Sequence, residues 1–154
     1  MQKDFTLSIG YTLLFLLFII LTCGKIMELM GVALAQWTLP LGIVLTILSS
    51  IVLGRKWGGF CFRQSVRLYL SVLLIVALSL LIGGYVYDYA YDGQSYHPPL
   101  IRSLMKGWNP VYEPHCPYTA EWGCGSFVDH YPKAMETLCA IFAKFVGNIE
   151  CGKA

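Results

Sequence analysis

The chain has 154 residues, of which 56% are hydrophobic and only 13% are charged, and its formal net charge is +2. So few charges cannot cover the surface of a globule in water, and the composition therefore excludes an ordinary soluble domain. The sequence carries no nucleic-acid-binding signature, and we expect no nucleic-acid partner.

Three long runs contain no charged residue: Phe5–Gly24, Leu29–Gly54 and Leu68–Tyr87. Each is about long enough to cross a hydrocarbon core of roughly 30 Å as a helix. In lipid the backbone must satisfy its own hydrogen bonds, so helices are expected for all three runs. We predict an all-α integral membrane protein with about three transmembrane helices. Residues 1–87 form the transmembrane region, with spans at about 6–24, 37–54 and 68–87.

The connection between the second and third spans is basic and free of acids. It carries Arg55, Lys56, Arg63 and Arg67. By the positive-inside rule this connection faces the cytoplasm. The prediction is therefore a protein of the inner cell membrane with a cytoplasmic N-terminus. Residues 88–154 are then extracytoplasmic.

Two short juxtamembrane amphipathic helices are predicted in the extracytoplasmic segment. The first covers about 98–106, because Pro98 and Pro99 suit a first helical turn and Gly107 suits a C-terminal stop. Its apolar positions are Leu100, Ile101, Leu104 and Met105, opposite Arg102, Ser103 and Lys106. The second covers about 132–146, with apolar positions at Ala134, Met135, Leu138, Ile141, Phe142, Phe145 and Val146. A helix as short as the first would be stabilised by lying on the membrane surface with its apolar face towards the lipid.

The segment 87–112 crowds acids, aromatics and turn residues beside the third span. Asp88 and Asp92 are four residues apart, which would place them on one helical face as a general base or a metal ligand pair. The alternative is a solvated acidic cap on a membrane helix. From spacing alone the cap is favoured.

Histidines and cysteines suggest two further alternatives in the predicted extracytoplasmic segment 88–154. A zinc site would draw on His97, His115, Cys116, Cys124 and His130, but their spacing fits no familiar zinc motif. In an oxidising compartment Cys116 and Cys124 could instead close a small disulfide loop. The disulfide is the favoured prediction for these cysteines.

The outer half, roughly residues 68–154, resembles the N-terminal part of the GT-C superfamily of membrane glycosyltransferases, which use polyprenyl-phosphate-linked sugars. The matching pieces are Asp92 in YDGQSYH, the helix PPLIRSLMKG, the turn His130-Tyr131-Pro132-Lys133 and the segment KFVGNIECGKA. The resemblance implies that Asp92 is the catalytic base and that Lys133 contacts the lipid-phosphate donor. It also implies a substrate pocket shaped by His130 or Tyr131, and we add His97 to the substrate-binding candidates.

Members of that superfamily have more spans than this chain, so the resemblance implies an N-terminal portion of such an enzyme. Its partners would be membrane lipid and a polyprenyl-linked sugar donor. No organic cofactor is expected, and the sequence leaves open whether a divalent metal ion assists Asp92. The alternative is a non-catalytic membrane protein whose residues 88–154 form a disulfide-pinned cap that docks a membrane protein partner.

Overall fold

The computed structural model of the chain describes residues 2–56, 62–86, 96–117, 129 and 133–153. These residues are helical or lie in turns, and no strand occurs among them. In chain order the elements are α1 (Gln2–Leu29), α2 (Thr38–Lys56), α3 (Phe62–Tyr85), α4 (His97–Lys106), α5 (Ala134–Val146) and a short 3₁₀ helix (Glu150–Lys153).

Three helices are long and apolar enough to cross a membrane: Phe5–Leu29, Thr38–Lys56 and Arg63–Tyr85. Their mean hydropathies are 2.2, 1.7 and 2.3. The prediction of an all-α membrane protein with three transmembrane helices is confirmed. The first helix runs five residues beyond its predicted end at Gly24, because the charges on its last turns bind partners inside the protein.

The α1 and α2 helices approach each other closely at one glycine. A Cβ atom on Gly42 would lie 2.7 Å from Ile20 Cγ1 and 3.1 Å from Ile20 Cα. Ile20 is completely buried at this contact. The two helices are joined by a turn in which Gly31 has a φ of 72°, a backbone conformation that glycine adopts without steric cost.

The α4 and α5 helices form a second layer across the end of the bundle where α1 and α3 finish and α2 begins. Fully buried side chains hold this layer together: Leu100, Ile101, Leu104 and Ile141. Ile141 Cδ1 would lie 2.7 Å from a Cβ on Gly24 of α1, and Cys151 Sγ would lie 2.8 Å from one on Gly84 of α3. Thus α5 packs closely on α1 at Gly24, and the 3₁₀ helix packs closely on α3 at Gly84.

The two short helices agree with their predicted bounds to within two residues. Pro98 and Pro99 occupy the first turn of α4, and Gly107 ends the helix with a φ of 103°. The C-terminal stop of α5 is Gly147, with a φ of 80°. Both stops use the left-handed conformation that glycine favours at helix ends.

The predicted orientation of α4 on the membrane surface is wrong. Its apolar side chains pack inside the protein, mainly against α5, and not against lipid. Ser103, which the sequence placed on the polar face, is completely buried. Its hydroxyl donates to the carbonyl oxygen of Pro99 at 2.8 Å and lies 3.1 Å from Cys116 Sγ, so burial leaves it hydrogen-bonded.

The buried face of α5 also differs from the predicted apolar face. Ile141 and Phe142 are buried as expected, but Met135 is 66% exposed, and Ala134, Phe145 and Val146 are exposed as well. In their place the helix buries Glu136 and Thr137. The reason is that Thr137 meets the charged end of α1 and Glu136 meets His97 on α4, so hydrogen bonding decides the orientation of this helix.

Candidate functional site

A buried ionic network joins the end of α1 to α5. Lys25 Nζ lies 2.7 Å from Glu28 Oε2 and donates to Thr137 Oγ1 at 2.8 Å. Thr137 Oγ1 in turn donates to Glu28 Oε1 at 2.8 Å. Glu28 is only 2% exposed, and such a carboxylate is tolerated only when its oxygens are paired. Lys25 and Glu28 both lie on α1, so Thr137, which contacts both side chains, is the residue that connects α1 to α5.

The turn after α4 is fastened to the same end of α1. Asn109 Nδ2 donates to the backbone oxygen of Glu28 at 2.8 Å, and the Tyr112 hydroxyl donates to the backbone oxygen of Leu29 at 2.6 Å. Trp108 Nε1 donates to the backbone oxygen of Glu113 at 2.9 Å and fixes the shape of the turn. The carbonyls of Glu28 and Leu29 lie at the end of α1, where a helix leaves them without intrahelical partners. The Gly-Trp-Asn-Pro segment thus connects the end of α4 to the end of α1 through hydrogen bonds.

A second buried carboxylate lies between α5 and α4. Glu136 is 1% exposed, and its Oε1 lies 2.9 Å from His97 Nδ1. Its other oxygen, Oε2, has no hydrogen-bond partner within the described residues. His97 is half-buried, and the ring of Tyr96 lies 4.2 Å from the imidazole between centroids. The first turn of α4 therefore carries the His97 imidazole, whose Nδ1 is in contact with the buried Glu136 carboxyl group.

Lys133, immediately before α5, is also buried, at 9% exposure. Its Nζ donates to the backbone oxygen of Asp129 at 2.9 Å. Burial lowers the pKa of Lys133, and the negative charges of Glu136 and Asp129 offset only part of that effect. The ammonium group is thus held in surroundings where its charge acts more strongly than it would in water.

Asp129 binds two neighbouring residues that follow α4, His115 and Cys116. Its Oδ1 accepts the backbone amide of Cys116 at 2.9 Å, and its Oδ2 lies 2.8 Å from His115 Nδ1. Burial alone would raise the pKa of Asp129. The hydrogen bonds from His115 and the Cys116 amide, with the charges of His115 and Lys133, outweigh it and lower the pKa below its ordinary value. His115 itself is largely exposed.

The structure brings two of the predicted site residues together. Both interact with Glu136: Lys133 through the attraction of opposite charges, and His97 through a hydrogen bond. The other predicted site residues lie outside the described residues: Asp88, Asp92, Cys124, His130 and Tyr131. The catalytic role of Asp92 and the Cys116–Cys124 disulfide therefore stay predictions.

The histidines proposed for a zinc site bind different acids. His97 pairs with Glu136, and His115 pairs with Asp129. Within the described ranges no group of three His, Cys, Asp or Glu side chains is placed to hold a metal ion. His97 and His115 are thus each paired with a different carboxylate and are not grouped around one metal position.

Sequence reasoning missed Glu136, Glu28 and Thr137 as parts of this region. One signal was available, because Glu136-Thr137 interrupts the apolar residues of the first half of α5, between Met135 and Leu138. A charged residue within such a helix needs a partner if that side of the helix is buried. The pattern alone does not say which side is buried.

Comparison with protein-family models, with curated proteins and with solved structures gives no match to this chain. Its functional interpretation therefore depends on its own residues.

Proposed function

We propose that the chain is the N-terminal part of a GT-C-like membrane glycosyltransferase. It would transfer a sugar from a polyprenyl phosphate donor on the outer face of the cell's inner membrane. The proposal combines the order of motifs in the sequence with the chemistry of the layer formed by α4 and α5. Asp92, Lys133 and His97 are the residues assigned to the reaction, with His130 and Tyr131 assigned to the pocket wall.

The observation that carries the proposal is the buried ammonium group of Lys133 beside the ends of membrane helices. A lipid-linked donor reaches a protein from the bilayer, so its phosphate lies near the level of such helix ends. As the bond from sugar C1 to the phosphate oxygen breaks, negative charge grows on the phosphate. A cation in low-dielectric surroundings stabilises that charge more strongly than one exposed to water.

Asp92 is assigned the complementary half of the reaction. The acceptor hydroxyl oxygen forms a bond to sugar C1, its proton passes to the Asp92 carboxylate, and the lipid phosphate leaves. Acid–base assistance of this kind is typically worth about 10²–10⁴-fold in rate. His97 follows Asp92 by five positions in the motif YDGQSYH, which supports a substrate contact close to that base.

The test is a transfer assay with the protein expressed from its complete gene in its own membrane. A polyprenyl phosphate sugar serves as the donor, and glycan transfer is measured. Asp92→Asn is expected to lower the transfer rate by about 10²-fold or more. Lys133→Gln is expected to lower it strongly as well, and Lys133→Arg to restore part of the loss because it returns the positive charge.

Lys144→Gln is the matched control. Lys144 is a second lysine of the same layer, its pKa is also lowered by burial, and its Nζ donates to the backbone oxygen of Met105 at 2.6 Å. This variant removes a partly buried lysine without touching the proposed site, so transfer should stay near the wild-type rate. Wild-type transfer by Asp92→Asn, or equal losses in Lys133→Gln and Lys144→Gln, would refute the assignment.

A further inference from the structure

A groove opens on the outside of the contact between α1 and α2. It has a volume of about 460 Å³ and is lined by Phe15 of α1 and by Leu48, Ser49, Val52 and Leu53 of α2. Val52 is 64% exposed, and Leu48 and Leu53 are exposed as well. Both helices are long and apolar enough to span a membrane, so lipid is expected around these side chains. The groove is therefore open to the molecules of the bilayer.

Lys56 continues the lining of the groove to the end of α2. Leu48, Val52 and Lys56 are spaced by four positions, so they form one row along the helix. Side chains of a helix lean towards its N-terminus, so the aliphatic part of Lys56 begins over the turn that carries Val52. Lys56 is exposed, and its ammonium group can reach the headgroup layer while its stem stays on apolar surface. An apolar groove therefore leads to a positive charge.

We propose that this groove binds an anionic phospholipid of the leaflet in which α2 ends. One acyl chain lies against Phe15, Leu48 and Val52, and the phosphate of the headgroup contacts the ammonium group of Lys56. The proposal is independent of the glycosyl transfer proposed above, because the end of α2 lies at the opposite end of the bundle from the layer of α4 and α5.

The length of the site agrees with the depth of one leaflet. Leu48 and Lys56 are eight positions apart, which at 1.5 Å per residue is about 12 Å along the helix. The hydrocarbon core of a bilayer is roughly 30 Å thick, so each leaflet contributes about 15 Å of it. With Lys56 at the level of the headgroups, the groove lies at the depth of the acyl chains of that leaflet.

The charges at this end of the bundle favour an anionic headgroup. The last turn of α2 and the first two turns of α3 carry four basic residues: Arg55, Lys56, Arg63 and Arg67. Neither helix contains an acid, and the start of α1 adds one lysine and one aspartate, which balance each other. Basic residues beside a membrane span attract anionic lipids. The net positive charge therefore favours an anionic headgroup over a zwitterionic one.

The lining of the groove favours an acyl chain over another protein helix. Helices that associate in membranes approach each other through small residues such as glycine, alanine, serine and threonine. The contact between α1 and α2 is of this kind, because Gly42 lies against Ile20. In the groove, by contrast, Ser49 is accompanied by four large apolar side chains. A flexible acyl chain can fill the space between such side chains, whereas they keep a helix backbone at a distance.

Native mass spectrometry of the full chain in a neutral detergent tests the proposal. Phosphatidylglycerol and phosphatidylcholine with the same acyl chains are added separately, and the apparent Kd of the first bound lipid is measured. We expect phosphatidylglycerol to bind at least about fivefold more tightly, the ratio that corresponds to about 1 kcal/mol for one basic residue near an anionic lipid. Equal affinities in the wild type would overturn the proposal, and this comparison needs no variant to fold.

Lys56→Gln tests the headgroup contact. It should weaken the binding of phosphatidylglycerol by about fivefold and leave that of phosphatidylcholine unchanged. Arg63→Gln is the matched control, because it removes one positive charge at the same end of the bundle, and no described residue of α3 lines the groove. Its Kd should stay close to the wild-type value. Equal losses in the two variants would show a general attraction to the positive end and would refute a site at the groove.

Val52→Trp tests the acyl-chain contact, because the larger side chain fills the groove while Lys56 is kept. It should weaken the binding of phosphatidylglycerol. Leu70→Trp is the control, since Leu70 is an exposed residue of α3 that does not line the groove. Equal affinities of the two tryptophan variants would contradict the acyl-chain contact. A dimer whose lipid binding is the same in wild type and Val52→Trp would assign the groove to a second copy of the chain instead.

Discussion

Replacing Thr137 by valine tests whether the ionic network holds the layer of α4 and α5 on α1. The hydroxyl of Thr137 accepts from Lys25 Nζ and donates to Glu28 Oε1, both at 2.8 Å. Valine has nearly the same shape and keeps the methyl group that faces Gly24. The substitution therefore removes two hydrogen bonds and changes little else.

The expected loss of unfolding free energy depends on which hydrogen bonds Glu28 and Lys25 keep after the substitution. Glu28 keeps its contact with Lys25 at Oε2, but its Oε1 loses its donor while the side chain is 2% exposed. Lys25 is about one-third exposed and can replace its lost contact with water. A hydrogen bond to a charged group is worth about 1.5–3 kcal/mol, so Thr137→Val should lower the free energy of unfolding by about 2–3 kcal/mol.

Thr46→Val provides the control in the same protein. Thr46 is also buried, but its hydroxyl donates to the carbonyl oxygen of Gly42 within its own helix at 2.7 Å. That carbonyl keeps a backbone partner in the helix, so the cost should be below about 1 kcal/mol. The assay is reversible unfolding in mixed micelles with increasing SDS, followed by far-UV circular dichroism. Equal effects of the two substitutions, or a loss below about 0.5 kcal/mol for Thr137→Val, would refute the network's role.

Two further outcomes follow from the structure. Gly42→Ala should destabilise the protein by about 1–3 kcal/mol in the same SDS assay, because its methyl group would overlap Ile20. Gly10→Ala, where no atom lies within 4 Å of the added carbon, should be neutral or slightly stabilising, and a matching loss there would contradict the close contact. Because the pKa of Asp129 is lower in the folded protein, its carboxylate is protonated at a higher pH in the unfolded chain than in the folded one. The stability it contributes is therefore present above its unfolded pKa of 3.8 and is lost as the pH falls through the lower folded value. In Asp129→Asn the free energy of unfolding should therefore fall less steeply as the pH is lowered through this range. An unchanged decrease would show that the Asp129 carboxylate contributes nothing to the acid sensitivity.

Local sequence signals predict the helices of this protein well. Charge-free runs locate the three spans, since only a helix satisfies a backbone in lipid. The Pro98-Pro99 pair and Gly107 locate both ends of α4. These signals act within a few residues and do not depend on how helices are arranged, which explains why they succeed.

The orientation of the short helices is where local signals fail. The apolar pattern of α5 predicts that Met135 is buried, and the structure buries Glu136 and Thr137 instead. An apolar stripe is a reliable guide when the opposing surface is apolar. Here the opposing surface carries Lys25 and Glu28, and the hydrogen bonds they require outweigh the apolar contacts that α5 gives up.

The sequence by itself determines that this is a membrane protein with three spans, and it indicates which segments carry acids, histidines and Lys133. The reason is that hydrophobicity, helix length and turn residues act through the local chain. Only the tertiary structure decides that Glu136 meets His97 across 39 positions and that Glu28 meets Thr137 across 109. Such contacts depend on how α4 and α5 dock on α1, because the partners of a buried charge are chosen by the packing of whole helices.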